Sequence, residues 1–160
     1  MTAHVLLSIG EVDVVWDGDR LTFLSCAMID GDGAGLSHGD PDFQPDTTYQ
    51  PALNADEEPY IVLPPQVIMA VAPRVIGCRA TVLNGMNGQQ TDAVVGDVGP
   101  RAKIGEISIA CARAIGIDPS PITGGEERRV IRYAIWPGVP ATVNGRTYAL
   151  QRYAPFAGST

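Results

Sequence analysis

The residues best placed to do chemistry lie in one segment, Val94-Val95-Gly96-Asp97-Val98-Gly99-Pro100-Arg101-Ala102-Lys103-Ile104-Gly105-Glu106-Ile107-Ser108. Asp97 closes a short apolar run, and Glu106 opens a second apolar run. Gly96, Gly99 and Gly105 permit close backbone approach on either side. Two carboxylates at the ends of rigid elements, joined by a tight loop, suit paired general acid and general base catalysis. A purely structural reading stands beside this one: Asp97 as a turn former and Glu106 as a first-turn helix residue favoured by the helix dipole. No other catalytic set competes. His4 and His38 have no partners in a nucleophilic arrangement. Cys26, Cys78 and Cys111 have no neighbouring histidine and form neither a disulfide framework nor a zinc pattern, and Cys78 and Cys111 read as small buried hydrophobes.

A second feature lies upstream. Asp30, Asp32, Asp40, Asp42, Asp46, Asp56, Glu57 and Glu58 make the first third strongly acidic, a field that attracts cationic ligands. Asp30-Gly31-Asp32-Gly33 offers oxygen ligands but lacks the twelve-residue calcium loop with its terminal Glu, so neither metal nor cofactor is expected. Tyr49, Tyr60, Tyr133 and Trp136 are candidates for stacking on sugar rings or for packing the core.

The elements that must position these groups are short. Val5–Val15 and Arg20–Met28 contain strand-like runs around the turn Asp17-Gly18-Asp19. Residues 30–54 are polar, aperiodic and rich in Gly, Asp and Pro, which reads as a long functional loop. Tyr60–Leu63, Val67–Ala72 and Val75–Leu83 are strand candidates punctuated by Pro64-Pro65 and Pro73. Asn84-Gly85 and Asn87-Gly88 mark reversals, and Ala93–Val95 is another apolar strand. Ile104, Ile107, Cys111 and Ile115 recur at helical spacing, predicting one central helix over 105–115 that Gly116 ends. Val130–Trp136 alternates as a strand, and Asn144-Gly145 is the strongest hairpin signal. The expected fold is mainly β: a compact barrel of about six strands with one central helix, because closure leaves few exposed edges. An open antiparallel α+β sheet is the competitor.

The chain has 160 residues, which suits a single domain, expected over 1–156 with a frayed 157–160. Eighteen acidic against eleven basic residues leave a net charge of -7, which argues against binding a phosphate backbone. No apolar run reaches the length of a membrane span. The first residues show no signal peptide, which leaves the compartment open between the cytoplasm and a chain whose leader is missing. A monomer is expected.

The ordered set of motifs resembles the fungal-type chitosanase family of glycoside hydrolases. Gly96-Asp97, a Gly/Pro link and Ile104-Gly105-Glu106 resemble the family signature. Met28-Ile29-Asp30-Gly31-Asp32-Gly33, Asp40-Pro41, Asp46-Thr47-Thr48 and Pro59-Tyr60-Ile61-Val62-Leu63-Pro64 resemble its upstream elements, so the likeness runs through residues 20–137. The resemblance implies that Asp97 and Glu106 are the catalytic pair, and that Asp30, Asp32, Asp46, Tyr49 and Tyr60 belong to the substrate site. It further implies a double-psi type of barrel, and endo hydrolysis of β-1,4 bonds in chitosan or a related cationic aminosugar polymer with inversion. Gly31 stands where family members usually carry a cysteine, which implies a lost disulfide. Two alternatives stay open: a non-catalytic glycan-binding or structural domain, and a peptidoglycan hydrolase. The division of labour in the pair is also open. A helix N-terminus would favour Glu106 as an anion, whereas burial and neighbouring carboxylates favour Glu106 as the acid and Asp97 as the base.

Overall fold

The computed structural model describes residues 3–71 and 73–153, so the readings that fall on Ala72 and on 154–160 lie outside the described residues. Six strands close a barrel: β3 (Arg20–Asp30), β4 (Tyr60–Leu63), β5 (Cys78–Asn84), β6 (Gln90–Val98), β7 (Glu106–Ser108) and β8 (Glu126–Pro140). Their order is β3-β7-β4-β6-β5-β8, and β8 pairs back onto β3. The β1 (His4–Ile9) and β2 (Val12–Asp17) hairpin extends the sheet from β3. A small hairpin of β9 (Thr142–Val143) and β10 (Arg146–Thr147) turns at Asn144-Gly145, where Asn144 adopts the positive φ that this turn requires. The expected mainly-β barrel is thus the observed fold.

The barrel interior is filled by alternating strand residues, as a small barrel requires. Leu21 and Phe23 from β3 meet Ile131, Tyr133 and Ile135 from β8, and Ala80 and Val82 come from β5; all are buried. Phe23 and Tyr133 stack with ring centroids 4.6 Å apart. The Tyr133 hydroxyl lies 2.7 Å from the Cys26 carbonyl oxygen and 3.2 Å from that of Gly105, so it ties β3 to the start of β7. Cys78 and Cys111 are buried free thiols, and burial pushes the Cys78 thiol up to about 12.

Among the described residues there are two helices where the sequence predicts one. Val67–Ala72 was read as strand, yet α1 spans Pro65–Val71. Pro65 opens that helix, a position where its missing N–H costs nothing. The second correction matters more for function. Helix α2 is only Ile109–Ala114, capped by Ser108, and Glu106 lies before it in β7. The apolar spacing of Ile104, Ile107 and Cys111 fits a helix, but Ile107 pairs with Ile29 of β3 and Ile61 of β4, so sheet pairing overrides the period.

Ser108 fixes this junction. Its buried hydroxyl donates to the Glu58 carbonyl and accepts from the Tyr60 and Cys111 N–H groups. One side chain therefore sets the end of β7, the start of β4 and the cap of α2. On the other flank, β6 carries a bulge against β4: Ile61 faces Val95, Val62 faces Asp97, and Gly96 is the extra residue. A Cβ at Gly96 would lie 2.5 Å from Leu53 Cδ1 and 3.1 Å from Tyr60 Cβ. The bulge and the buried Leu53 thus fit only because residue 96 has no side chain. Gly96→Ala is expected to destabilise the fold by about 1–3 kcal/mol through overpacking. In a double-mutant cycle with Leu53→Ala, measured by denaturant unfolding, the second change should relieve part of the first; strict additivity would contradict the contact.

Candidate active site

The barrel brings Asp97 and Glu106 onto one row. Val62 at the centre of β4 pairs with Asp97 of β6 on one side and with Glu106 of β7 on the other. Two strand spacings set the backbones roughly 9.5 Å apart. Parallel pairing of β3 with β7 places Met28 opposite Glu106 and Asp30 opposite Ser108, which delivers Asp30 and Asp32 to the same end of the barrel. All four carboxylates line one cleft of about 870 Å³, with Asp40 and Asp42 from the long loop at its mouth.

The long loop is ordered by its own hydrogen bonds. Gly33 N–H donates to the Gln44 carbonyl, Ala34 N–H to that of Leu53, and Gln44 N–H to Asp32 Oδ1. Gly33 has φ +118°, and a Cβ there would lie 1.9 Å from the Leu53 carbonyl oxygen, so no other residue fits this crossing. Asp30 Oδ1 accepts the Asp32 N–H, and the buried Tyr60 hydroxyl donates to the Asp32 carbonyl.

The two members of the pair have different surroundings. Asp97 Oδ1 accepts three bonds, from the Thr48 N–H, the Thr48 hydroxyl and its neighbour Val98 N–H. No donor among the described residues reaches Oδ2. No hydrogen bond fixes the Glu106 carboxyl among the described residues either; instead it packs over Gly99, where a Cβ would lie 2.9 Å from Oε2. Burial raises both carboxyls above their ordinary range. The Thr48 and Val98 donors oppose that rise at Asp97, and the Lys103 ammonium opposes it at Glu106. Because Glu106 sits in a strand, the helix-dipole argument against its being an acid does not apply.

Asp30 is the most perturbed. Burial, followed by repulsion from Asp32, Asp97 and Glu106, pushes it up to about 8 against the Asp32 N–H bond, so it is largely protonated at neutral pH. Asp32 is also raised, first by burial. One oxygen from each of Asp30, Asp32 and Asp97 lies within 4.8 Å of the others. This trio has the all-oxygen donor set that a hard cation takes, and it is equally a cluster in which one proton relieves like-charge repulsion.

Three expected site residues are not brought to the cleft. Tyr60 is fully buried with its ring in the core, so it is no sugar platform. Tyr49 is buried edge-on against Tyr148 with centroids 5.5 Å apart. Asp46 is exposed and serves its own turn, accepting from the Thr47 N–H and the Gln50 side-chain amide. Aromatic and acidic character was legible in the sequence for all three, but the direction of each side chain was not. Sequence reasoning missed Thr48 and Lys103. Thr48 ends the Asp46-Thr47-Thr48 element, and Lys103 lies inside the Asp97–Glu106 segment, so both stood within motifs already singled out without a role of their own.

The raised carboxyls have a thermodynamic sign. A carboxyl with a higher pKa in the folded state contributes stability below its unfolded pKa and loses it as pH rises toward the folded value. For Asp30 that window runs from about 4 to about 8. The thermal midpoint should therefore fall across this window in the wild type, and less steeply in Asp30→Asn, which keeps an oxygen to accept the Asp32 N–H. Parallel melting curves across the window would show that Asp30 titrates normally.

No family model matches this chain, and no curated protein matches it, so function has to be read from the cleft itself.

Proposed function

We propose that the protein is an inverting glycoside hydrolase that cleaves β-1,4 bonds in chitosan or a related aminosugar polymer, as the resemblance to the fungal-type chitosanases implies. The observation that carries the proposal is the row Asp97–Val62–Glu106, two carboxyls facing one acidic cleft from opposite sides of a single strand. Inverting enzymes hold their carboxyls about 6.5–9.5 Å apart so that a water fits between sugar and base, whereas retaining enzymes need about 5–5.5 Å. The pairing across Val62 fixes the two backbones on either side of one strand, and which carboxyl spacing holds is read from the first product's anomer.

The unequal surroundings support an assignment. Asp97 accepts three donors on Oδ1, which oppose the rise that burial causes and favour its anion, and it keeps Oδ2 for the water: it is the general base. Glu106, raised by burial against the Lys103 ammonium and accepting no hydrogen bond among the described residues, protonates the leaving glycosidic oxygen: it is the general acid. After the bond breaks, Asp97 has taken a proton from the attacking water and Glu106 has given one up. Exchange through solvent restores both. Asp30, protonated beside Asp97, lowers the repulsion in the cluster and orients the water. Asp32, Asp40 and Asp42 supply the negative field for a protonated amine. Among the described residues no helix is long and apolar enough to cross a membrane.

A non-catalytic glycan-binding role is the second reading. It is favoured by the fully bonded Oδ1 of Asp97, which would also be explained as a tie between β6 and the long loop. Rates separate the two. Asp97→Asn and Glu106→Gln should each lower turnover on chitosan oligomers by roughly 10²–10⁴-fold while both chains stay folded. Asp30→Asn should lower turnover without lowering the thermal midpoint. Near-normal rates in folded Asp97→Asn and Glu106→Gln would remove the pair from catalysis, and no cleavage by the wild type would favour the binding role.

A further inference from the structure

The outer wall of the barrel carries a second chemistry, on the side where β3, β8 and β5 lie next to one another. Phe23, Tyr133 and Val82 pair across these strands and are buried inside, so the residues on either side of them in sequence face outward. The outward rows differ in size. Thr22, Ala134 and Thr81 form a row of small side chains. Arg132 stands above it between Leu24 and Leu83, and Trp136 below it between Arg20 and Arg79. A shallow trough results, floored by an alanine and two threonines, between walls whose backbones are about 13 Å apart. It occupies the Arg20–Leu24 half of β3, whereas Cys26–Asp30, the other half, lines the acidic cleft.

The trough gathers donors without acceptors. No acceptor among the described residues meets the Arg79 or Arg132 guanidinium, the Thr22 or Thr81 hydroxyl, or the Trp136 indole N–H. Arg79 and Arg132 also lack an ion-pair partner among the described residues, although acidic residues outnumber basic ones eighteen to eleven. Arg79 lies over the Trp136 ring, 4.1 Å from its centroid, a contact that steadies the guanidinium and leaves its N–H groups free to donate. Arg20 approaches the same ring at 5.8 Å and is tied to Asp17. We propose that this trough is a second ligand site, for the phosphate group of a small phosphomonoester. Two guanidinium forks, two hydroxyls and an indole N–H exceed what the two oxygens of a carboxylate accept, and suit the three oxygens and the double charge of a monoester. Leu24, 42% exposed, and the Trp136 ring offer apolar surface to the body that carries the phosphate. Asp17 lies opposite Arg20 on β2 and Asp92 opposite Thr81 on β6, so a carboxylate closes each end and limits the site to one anionic group rather than a phosphate backbone. The inference stands apart from the hydrolase reading, since none of these residues lines the acidic cleft.

The test is an NMR titration of the full chain in phosphate-free buffer, with glucose 6-phosphate, inorganic phosphate and acetate as probes. The Trp136 indole N–H and the Thr22, Thr81 and Ala134 amides should shift saturably with both phosphates, more tightly with glucose 6-phosphate, and not with acetate. Arg79 and Arg132 are exposed, so both can be replaced without touching the core. Arg79→Gln with Arg132→Gln should weaken glucose 6-phosphate by about tenfold or more, and Arg79→Lys, which keeps the charge but loses the fork, by about threefold or more. Three results would overturn the inference: no saturable shift at these positions, acetate binding as tightly as phosphate, or Arg79→Lys binding as tightly as wild type, which would reduce the site to general charge attraction. Glucose 6-phosphate no tighter than inorganic phosphate would overturn the ester as the occupant.

Discussion

Desolvation of like charges governs this molecule. Four carboxyl groups from three separate stretches of chain converge at one end of the barrel, and burial raises all four above their ordinary range. Such a cluster opposes folding, and it persists because the barrel around it is over-determined. Closure through β8, the Phe23–Tyr133 stack and the Tyr133 hydroxyl fix β3 against β7 from inside. Ser108 fixes β7 against β4. Leu53 packed over Gly96 fixes the long loop against β6, which brings Thr48 onto Asp97. Each tie is apolar packing or a neutral hydrogen bond. The carboxylates add bonds of their own, from Gln44 and Thr48 of the long loop to Asp32 and Asp97, within the frame that these ties set.

The same constraint separates the roles of the carboxyls. Identical chemistry at Asp97 and Glu106 is made unequal by where the donors lie: three on one oxygen of Asp97, none on Glu106 among the described residues. A pair of carboxyls whose environments differ in this way can divide the acid and base tasks at one pH. Asp30 completes the arrangement by taking up a proton near neutrality, so the cluster carries one negative charge fewer than its residue types suggest. On the proposed reading the cluster gives up stability for function.

Much of the fold was legible in the sequence because its signals are local. The alternation in Val130–Trp136, the Asn144-Gly145 turn and the Asn84-Gly85 reversal each report on neighbouring residues, and each stands where expected. The strand expected over Val67–Ala72 falls on helix α1 (Pro65–Val71), because a short apolar stretch has no decisive period. Glu106 was misplaced onto a helix because Ile104, Ile107 and Cys111 satisfy helical spacing, while the pairing of Ile107 with Ile29 and Ile61 is long-range. The site followed the same rule. The carboxylates could be singled out by type and motif, but their row across Val62 depends on register and on one bulge at Gly96. Tyr49, Tyr60 and Asp46 had suitable chemistry and turned into the core or into a local turn.

The central claim is that Asp97 and Glu106 act across a gap wide enough for water. The stereochemistry of the first product reports on that gap directly. Proton NMR of a chitosan oligomer in the first moments of cleavage, before mutarotation blurs the signal, distinguishes the two anomers. Direct attack of water from the Asp97 side predicts the α-anomer as the first product of the β-linked chain. A β-anomer formed first would mean that one carboxylate is a nucleophile at close range, and would contradict the account.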